Sequence, residues 1–133
     1  MHTLVINLTR FGDLLQTQPV LSGLRARGER VELVCLDSFK GATALLRDLD
    51  RVRVLPGARL LAQLDRSWPL AVAELSSWLT GDPDATAADR VLNLTPTLSA
   101  RLLGRALHTG EVLGFGLDSH GFGEYSTPWA AFL

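Results

Sequence analysis

Apolar positions divide the start of the chain into a strand-like segment and a helix-like segment. The first is a near-continuous apolar run from Leu4 to Leu8, which is typical of a strand buried on both faces of a parallel sheet. From Asp13 onward the apolar spacing lengthens to that of an amphipathic helix. The predicted buried stripe of this helix consists of Leu14, Thr17, Leu21, Leu24 and Gly28. Between the two segments lies a polar loop over residues 9–13, at the end of a strand, where open α/β sheets bind ligands.

The alternation of strand-like and helix-like segments continues along the chain. Four more strands are predicted, over residues 31–36, 51–55, 91–94 and 111–115. Helices are predicted over residues 40–48, 59–66, 69–79 and 97–107. The expected buried stripe of the last helix is Leu98, Leu102, Leu103, Ala106 and Leu107. This order predicts an α/β fold with a Rossmann-like open parallel sheet and helices on both faces, as a single domain over residues 1–133.

The remaining residues are interpreted as loops and packing groups. Residues 81–84 are read as a solvated acidic connection, and residues 116–129, rich in glycine and aromatic side chains, as an ordered loop. Trp68 and Trp78 are expected to pack in the core or between domains. The single cysteine, Cys35, excludes an internal disulfide, and its apolar surroundings in the sequence indicate a buried thiol.

Composition and charge exclude several classes of protein. With 47% hydrophobic and 20% charged residues among 133, the chain is globular rather than disordered. A formal net charge of −1 argues against a nucleic-acid-binding face. No signal peptide is recognised at the start, and no apolar run approaches the roughly 18 residues of a membrane span, so a cytoplasmic location is expected.

The sequence gives no sign of a metal or a cofactor. His2, His108 and His120 share no ligand spacing, so no metal site is predicted. A Walker loop is absent, and no G-x-G-x-x-G motif follows the first strand. The absence of these motifs disfavours a nucleoside triphosphatase and a dinucleotide-dependent dehydrogenase.

Asp13 permits two interpretations. As a helix N-cap it would form a capping box with Gln16, three residues later, and Gly12 would supply a backbone angle that other residues disfavour. As a functional residue, Asp13 would act as a general base, and Gly12 would let a substrate approach the backbone. The spacing fits both interpretations.

Polar residues cluster after three of the predicted strands, at 9–13, 37–38 and 93–97. In a parallel sheet these clusters meet at one end, and the first and third are expected to be neighbours. Thr95 and Thr97 either donate to an anionic ligand at a helix N-terminus or cap that helix. Arg10 either attracts an anionic acceptor and keeps Asp13 ionised, or is simply solvated.

The opening residues resemble the amino-terminal signature of glycosyltransferase family 9, the lipopolysaccharide heptosyltransferases. That signature is an apolar strand, a Ser/Thr-x-x-Gly-Asp turn and a helix carrying Thr-x-Pro-x-Leu. Here the turn is Thr9-Arg10-Phe11-Gly12-Asp13 and the helix carries Thr17-Gln18-Pro19-Val20-Leu21. Residues 90–95, 99–103 and 114–116 are similar to later parts of the same domain, so the resemblance spans essentially the whole chain.

The resemblance implies the amino-terminal, acceptor-binding half of a GT-B glycosyltransferase. Such an enzyme transfers heptose from ADP-heptose to a hydroxyl of the lipopolysaccharide inner core, with inversion and without a metal. Asp13 matches the family's proposed general base. The residues expected to bind substrate are Thr9, Arg10, Gly12, Asn93, Thr95 and Thr97.

The resemblance also implies what lies beyond these residues. The family's carboxyl-terminal domain, which binds the nucleotide-sugar, is absent from this chain, so the chain alone is expected to be inactive. An uncovered domain interface favours self-association through residues 129–133, and the acceptor implies peripheral contact with the inner face of the bacterial inner membrane. The alternative is a stand-alone flavodoxin-like binding or regulatory module without catalysis, in which Asp13 is only a cap.

Overall fold

The computed structural model describes residues 1–81, 88–107, 112–117 and 123–125. The predicted acidic residues at 82–84, most of the predicted tail loop and the segment 129–133 lie outside the described residues. The elements are β1 (His2–Ile6), α1 (Phe11–Leu15), α2 (Gln18–Ala26), β2 (Arg30–Leu36), a 3-10 helix (Asp37–Leu45), β3 (Arg51–Leu55), α3 (Gly57–Arg66), α4 (Trp68–Thr80), β4 (Arg90–Asn93), α5 (Leu98–Leu107), β5 (Val112–Leu117) and β6 (Gly123–Tyr125).

The strands form one sheet in the order β3-β2-β1-β4-β5-β6. The first five are parallel, and β6 pairs antiparallel with β5. This order confirms the predicted Rossmann-like open parallel sheet. Central β1 is buried at all five positions, as the apolar run predicted. Its Val5 lies opposite Leu33 of β2 and Leu92 of β4.

The core has one layer on each face of the sheet. Val5 packs into a cluster with Leu14 and Leu21 from the first two helices. Its neighbours Leu4 and Ile6 point the other way and pack with Leu103 of α5. The helices therefore cover both faces, which explains why β1 reads as a continuous apolar run instead of an alternating one.

The predicted first helix is two helices in the structure. α1 ends at Leu15 and α2 begins at Gln18, one residue before Pro19. Proline lacks a backbone N–H and disfavours helical conformation in the residue before it, so it is tolerated only in a helix's first turn. The predicted buried stripe holds through Leu24, whereas Gly28 is exposed and forms the turn into β2 with φ +77°.

The predicted face of α5 is only partly correct: Leu103 is buried and Leu107 packs against the core, but the other three predicted positions, Leu98, Leu102 and Ala106, are exposed. Leu98 and Leu102 are 59% and 51% exposed. The buried positions are Ala100, Arg101, Leu103 and Gly104. Small residues face inward here because the helix packs closely on β5: a methyl group added at Gly104 would lie 3.3 Å from Val112 Cγ1.

The two tryptophans of α4 differ. Trp68 is 68% exposed, so its predicted packing is not seen within the described residues. Trp78 packs against the core as predicted, and its indole N–H donates to the Val54 carbonyl at 2.8 Å. The guanidinium of Arg53 lies 4.5 Å from the centre of the Trp78 ring. This arrangement places the Trp78 ring beside the outer edge of β3 at Arg53 and Val54.

Candidate functional site

The loop between β1 and α1 lies at the carboxyl end of the sheet, where the parallel strands finish. Arg10 in this loop is exposed, and so are Gly12 and Asp13, which the sequence assigned to the loop but which lie in the first turn of α1; Thr9 is half-buried. Within the described part of the chain, neither Arg10 nor Asp13 has a side-chain hydrogen bond or ion pair. Among the described residues no ion pair joins Arg10 to Asp13, and both side chains are exposed to solvent.

The capping interpretation of Asp13 is wrong. The helix begins at Phe11 with Arg10 in the N-cap position, and Asp13 is inside the first turn. Gln16 follows the end of this helix, so no capping box forms. Gly12 is helical, and the glycines with positive φ among the described residues are Gly28 and Gly114. The local backbone conformation therefore does not require glycine at position 12. Asp13 does not cap the helix, and its only local effect is the favourable interaction of an acidic group in the first turn with the helix dipole.

Asn7, which follows β1, organises this loop and was not identified from the sequence. It is 5% exposed, and its side-chain NH₂ donates to Thr17 Oγ1 at 2.7 Å. Its side-chain oxygen accepts the backbone N–H of Thr9 at 3.2 Å and also the Thr9 hydroxyl. A polar residue interrupting an apolar strand was the available signal, because buried amides need partners.

The third predicted cluster, after β4, is the neighbour of the first, as predicted. The Thr95 hydroxyl accepts the backbone N–H of Leu8 at 2.9 Å, which joins the two loops directly. Thr95 is 4% exposed and Asn93 is fully buried. The Asn93 amide donates to the carbonyls of Thr95 and Phe115 at 3.0 and 2.9 Å, and its oxygen accepts the Thr95 N–H at 3.0 Å. In this conformation both side chains hold the loop and do not face solvent.

Thr97 is exposed and caps α5. Its hydroxyl accepts the backbone N–H of Ala100 at 3.3 Å and lies 3.2 Å from the Ser99 hydroxyl. Of the two roles predicted for Thr97, helix capping is the one that the structure shows. Arg101, in the same helix, was missed by sequence reasoning: it donates to the carbonyls of Pro96 and Gly116 at 2.9 and 3.0 Å. These bonds tie the loop before α5 to the end of β5.

The remaining candidate groups add no chemistry to this end of the sheet. Asp37, after β2, accepts the backbone N–H of its neighbour Ser38 at 2.9 Å. Cys35 is buried as predicted, and its burial raises the pKa of the thiol. Among the described residues, no group of three His, Cys, Asp or Glu side chains is arranged to hold a metal ion. The helices within the described ranges are also too short or too polar to cross a membrane.

Three solved structures of glycosyltransferases have a similar fold. The E. coli heptosyltransferase WaaC with ADP-2-deoxy-2-fluoro heptose aligns over 99% of this chain with a TM-score of 0.69 and 22% sequence identity. WaaC with ADP aligns over 99% with a TM-score of 0.68 and 21% identity. A glycosyltransferase of family 9 from Veillonella parvula aligns over 86% with a TM-score of 0.68 and 18% identity.

The match covers only part of each neighbour. This chain spans 40% of the WaaC chain and 32% of the Veillonella chain. No protein-family model matches the sequence, and no curated protein matches it. The likeness is therefore one of fold, and the resemblance to glycosyltransferase family 9 that the sequence predicted is confirmed at that level.

Proposed function

We propose that this chain is the acceptor-binding half of a glycosyltransferase resembling the heptosyltransferases. The donor is ADP-heptose or a related nucleotide-sugar, and the acceptor is a hydroxyl of the lipopolysaccharide inner core. The observation that carries the proposal is the exposed carboxylate of Asp13, which has no partner within the described residues and lies at the carboxyl end of the central strand. The likeness of fold to WaaC over nearly the whole chain supports it.

Asp13 is proposed as the general base. It takes the proton from the acceptor hydroxyl as that oxygen forms a bond to the anomeric carbon. The bond from that carbon to the diphosphate breaks on the opposite face, so ADP leaves and the configuration inverts. The reaction needs a carboxylate within hydrogen-bond reach of the hydroxyl, about 2.6–3.2 Å, and held there by its surroundings. No metal is required for this proton transfer.

The other predicted site residues contribute at different distances from the acceptor. Arg10 and Gly12 share the exposed surface with Asp13, and Thr9 lies between them and Asn7. Their proposed role is direct: Arg10 binds acidic groups of the acceptor, and Gly12 leaves room for it. Asn93 and Thr95 are proposed to shape the floor of the site from inside, and exposed Thr97 lies at its rim.

The donor is proposed to bind mainly to residues that this chain does not contain. A chain with the length of 40% of WaaC has room for one Rossmann-like sheet. We expect the remaining half to supply the groups that hold the diphosphate, and we expect the whole protein to work in the cytoplasm in peripheral contact with the inner membrane. These 133 residues alone are therefore expected to show no transfer.

A heptosyl-transfer assay tests the proposal. The complete product of the natural gene and the 133-residue chain are each incubated with ADP-heptose and lipopolysaccharide acceptor lacking inner-core heptose. We expect turnover by the complete product and none by the chain alone. Turnover by the chain alone would contradict the proposed division of the site. No transfer by a longer product, with any nucleotide-heptose, would contradict the proposed function.

A further inference from the structure

The buried amide of Asn7 holds both ends of the segment that carries Asp13. At one end, its side-chain oxygen accepts the Thr9 N–H at 3.2 Å and the Thr9 hydroxyl. At the other end, its NH₂ group donates to the Thr17 hydroxyl at 2.7 Å. The backbone N–H of Asn7 donates to the Val34 carbonyl of β2 at 3.0 Å, so the amide is itself fixed to the sheet.

Thr17 does not use its hydroxyl in the way its position predicts. It is the N-cap residue of α2, where a threonine normally accepts a hydrogen bond from the helix's first turn. No side-chain cap bond forms here, and the hydroxyl is buried, with Thr17 2% exposed. Its partner is Asn7, ten residues earlier in the chain. A departure from the local rule marks a position with another requirement.

The middle of the segment is fixed as well. Leu14 is fully buried, and its N–H donates to the Arg10 carbonyl at 2.8 Å. The N–H of Gln16 donates to the Gly12 carbonyl at 3.3 Å. The exposed surface of Arg10, Gly12 and Asp13 is thus carried by a backbone that is anchored at both ends and in the centre.

We infer that Asn7 and Thr17 are positioning residues for Asp13. The inference rests on the proposed function, in which Asp13 is the base. α1 has only five residues and is too short to hold its own direction by helical bonds alone. The Asn7–Thr17 hydrogen bond sets where this short helix ends, and therefore where the carboxylate of its first turn points. A displacement of about 1 Å in such a group costs about a hundredfold in rate.

Substitutions of two threonines in the complete gene product test the inference. Thr17→Val removes the hydroxyl and keeps the shape, and Thr17→Ser restores the hydroxyl. Thr3→Val is the matched control, because Thr3 is also a buried threonine with a side-chain hydrogen bond, to Glu29 Oε1 at 2.6 Å, but lies at the opposite end of the sheet. We expect Thr17→Val to lower kcat by about a hundredfold with KM for the donor within about twofold. Thr17→Ser and Thr3→Val should keep kcat within about twofold.

Two results would overturn the inference: a Thr17→Val enzyme with unchanged kcat, or a Thr17→Ser enzyme as slow as Thr17→Val. A purely structural role for Thr17 predicts lower thermal stability in both valine variants and no selective loss of kcat. If Asp13→Asn abolishes transfer while Thr17→Val leaves kcat unchanged, the proposed function stands and the positioning role fails.

Amide hydrogen exchange gives a readout that does not need activity. It is measured on the 133-residue chain, at the amides of Leu14 and Gln16. We expect exchange at these two amides to become at least about tenfold faster in Thr17→Val and to be unchanged in Thr17→Ser and Thr3→Val. Equal exchange in all four proteins would overturn the inference even if the wild-type enzyme proved to have another substrate.

Discussion

The two ends of the sheet use charged residues in opposite ways. At the amino end, where the parallel strands begin, Glu29 and Glu32 are 5% and 3% exposed. Arg90 donates to both oxygens of Glu29 at 2.6 and 2.7 Å, and the Thr3 hydroxyl donates to Glu29 as well. At the carboxyl end, Arg10 and Asp13 are exposed and form no such pair within the described residues.

The amino end shows what charges do when they serve the fold. Glu32 Oε2 lies 3.1 Å from His2 Nε2, and its other oxygen is within 4 Å of two arginine side chains, those of Arg51 and Arg53. Each buried charge there is near an opposite one, because an uncompensated charge in the interior is costly. The exposed carboxylate of Asp13 has no such structural role, which agrees with the function that we propose for the carboxyl end.

The largest expected effect is that of Asp13→Asn. In the complete gene product we expect transfer to fall by about 10²–10⁴-fold, because the amide cannot accept the acceptor's proton. The free energy of unfolding should change by no more than about 0.5 kcal/mol, since Asp13 is exposed. Transfer is measured with ADP-heptose, and stability by urea denaturation. Asp65→Asn, at an exposed acid of α3, is the matched control and should leave the rate unchanged.

The second largest effect is a loss of stability at the amino end of the sheet. Arg90→Leu removes one of the two arginines beside the buried Glu29 carboxylate, which keeps Arg27 and the Thr3 hydroxyl, and we expect the free energy of unfolding to fall by about 1–3 kcal/mol. Arg47→Leu, at an exposed arginine, should change it by less than about 0.5 kcal/mol. Both are read from urea midpoints of the 133-residue chain. Equal losses for the two variants would mean that the Arg90–Glu29 pair adds nothing specific.

The pH dependence of stability should also come from the amino end. Burial raises the pKa of Glu29, but the Thr3 hydroxyl and the charges of Arg90 and Arg27 outweigh it and leave that pKa below its ordinary value of 4.5. The pKa of Asp50 is lowered as well, mainly by the N–H of Val31. A carboxylate whose pKa is lower when folded contributes stability above its unfolded pKa, and this contribution is lost as the pH falls through the folded value.

We therefore expect wild-type stability to be constant near neutral pH and to decrease below about pH 4.5. Glu29→Gln should be less stable than wild type at pH 7, and the gap should narrow as the pH falls. Urea denaturation at pH 7, 5 and 3.5 measures the gap. A stability difference between wild type and Glu29→Gln that widens as the pH falls would contradict the lowered pKa of Glu29.

The smallest expected effects are those of alanine substitutions at two glycines, Gly28 at the amino end of the sheet and Gly12 at the carboxyl end. Gly28 has φ +77° in the turn before β2, so Gly28→Ala should cost about 1 kcal/mol. Gly12 is helical with open space around its Cβ position, so Gly12→Ala should be neutral or stabilise by up to about 1 kcal/mol. If Gly12 leaves room for the acceptor, the same variant should raise the acceptor KM. Stable Gly12→Ala enzyme with an unchanged acceptor KM would contradict that role.

The parallel part of the sheet was predictable because an apolar strand signal recurs in its five strands, whereas β6 lies in a segment that the sequence assigned to a loop. The run from Leu4 to Ile6 and its equivalents are apolar enough to indicate burial on both faces, and short connections then favour the parallel order. The loop after β1 was also predictable, because Gly12 and Asp13 stand where the apolar period changes.

The internal supports of the site were not predictable. Leu98 and Leu102 dominate the apolar pattern of α5, whereas the helix buries Arg101, whose guanidinium binds two carbonyls from distant segments. Asn7 similarly depends on Thr17, and no pattern in the sequence pairs these two residues. Such bonds join polar groups of different segments, and apolar periodicity therefore does not detect them and favours the exposed positions Leu98 and Leu102.

Trp78 has a consequence for assembly. β3 is the outermost parallel strand, and an outermost strand normally offers free carbonyls to the backbone of another molecule. The indole N–H occupies the Val54 carbonyl, and the bulk of the ring lies beside Arg53. On the other side of the sheet, the reversed direction of β6 ends the parallel series. The tryptophan thus blocks this position of the β3 edge against pairing with a strand of another molecule.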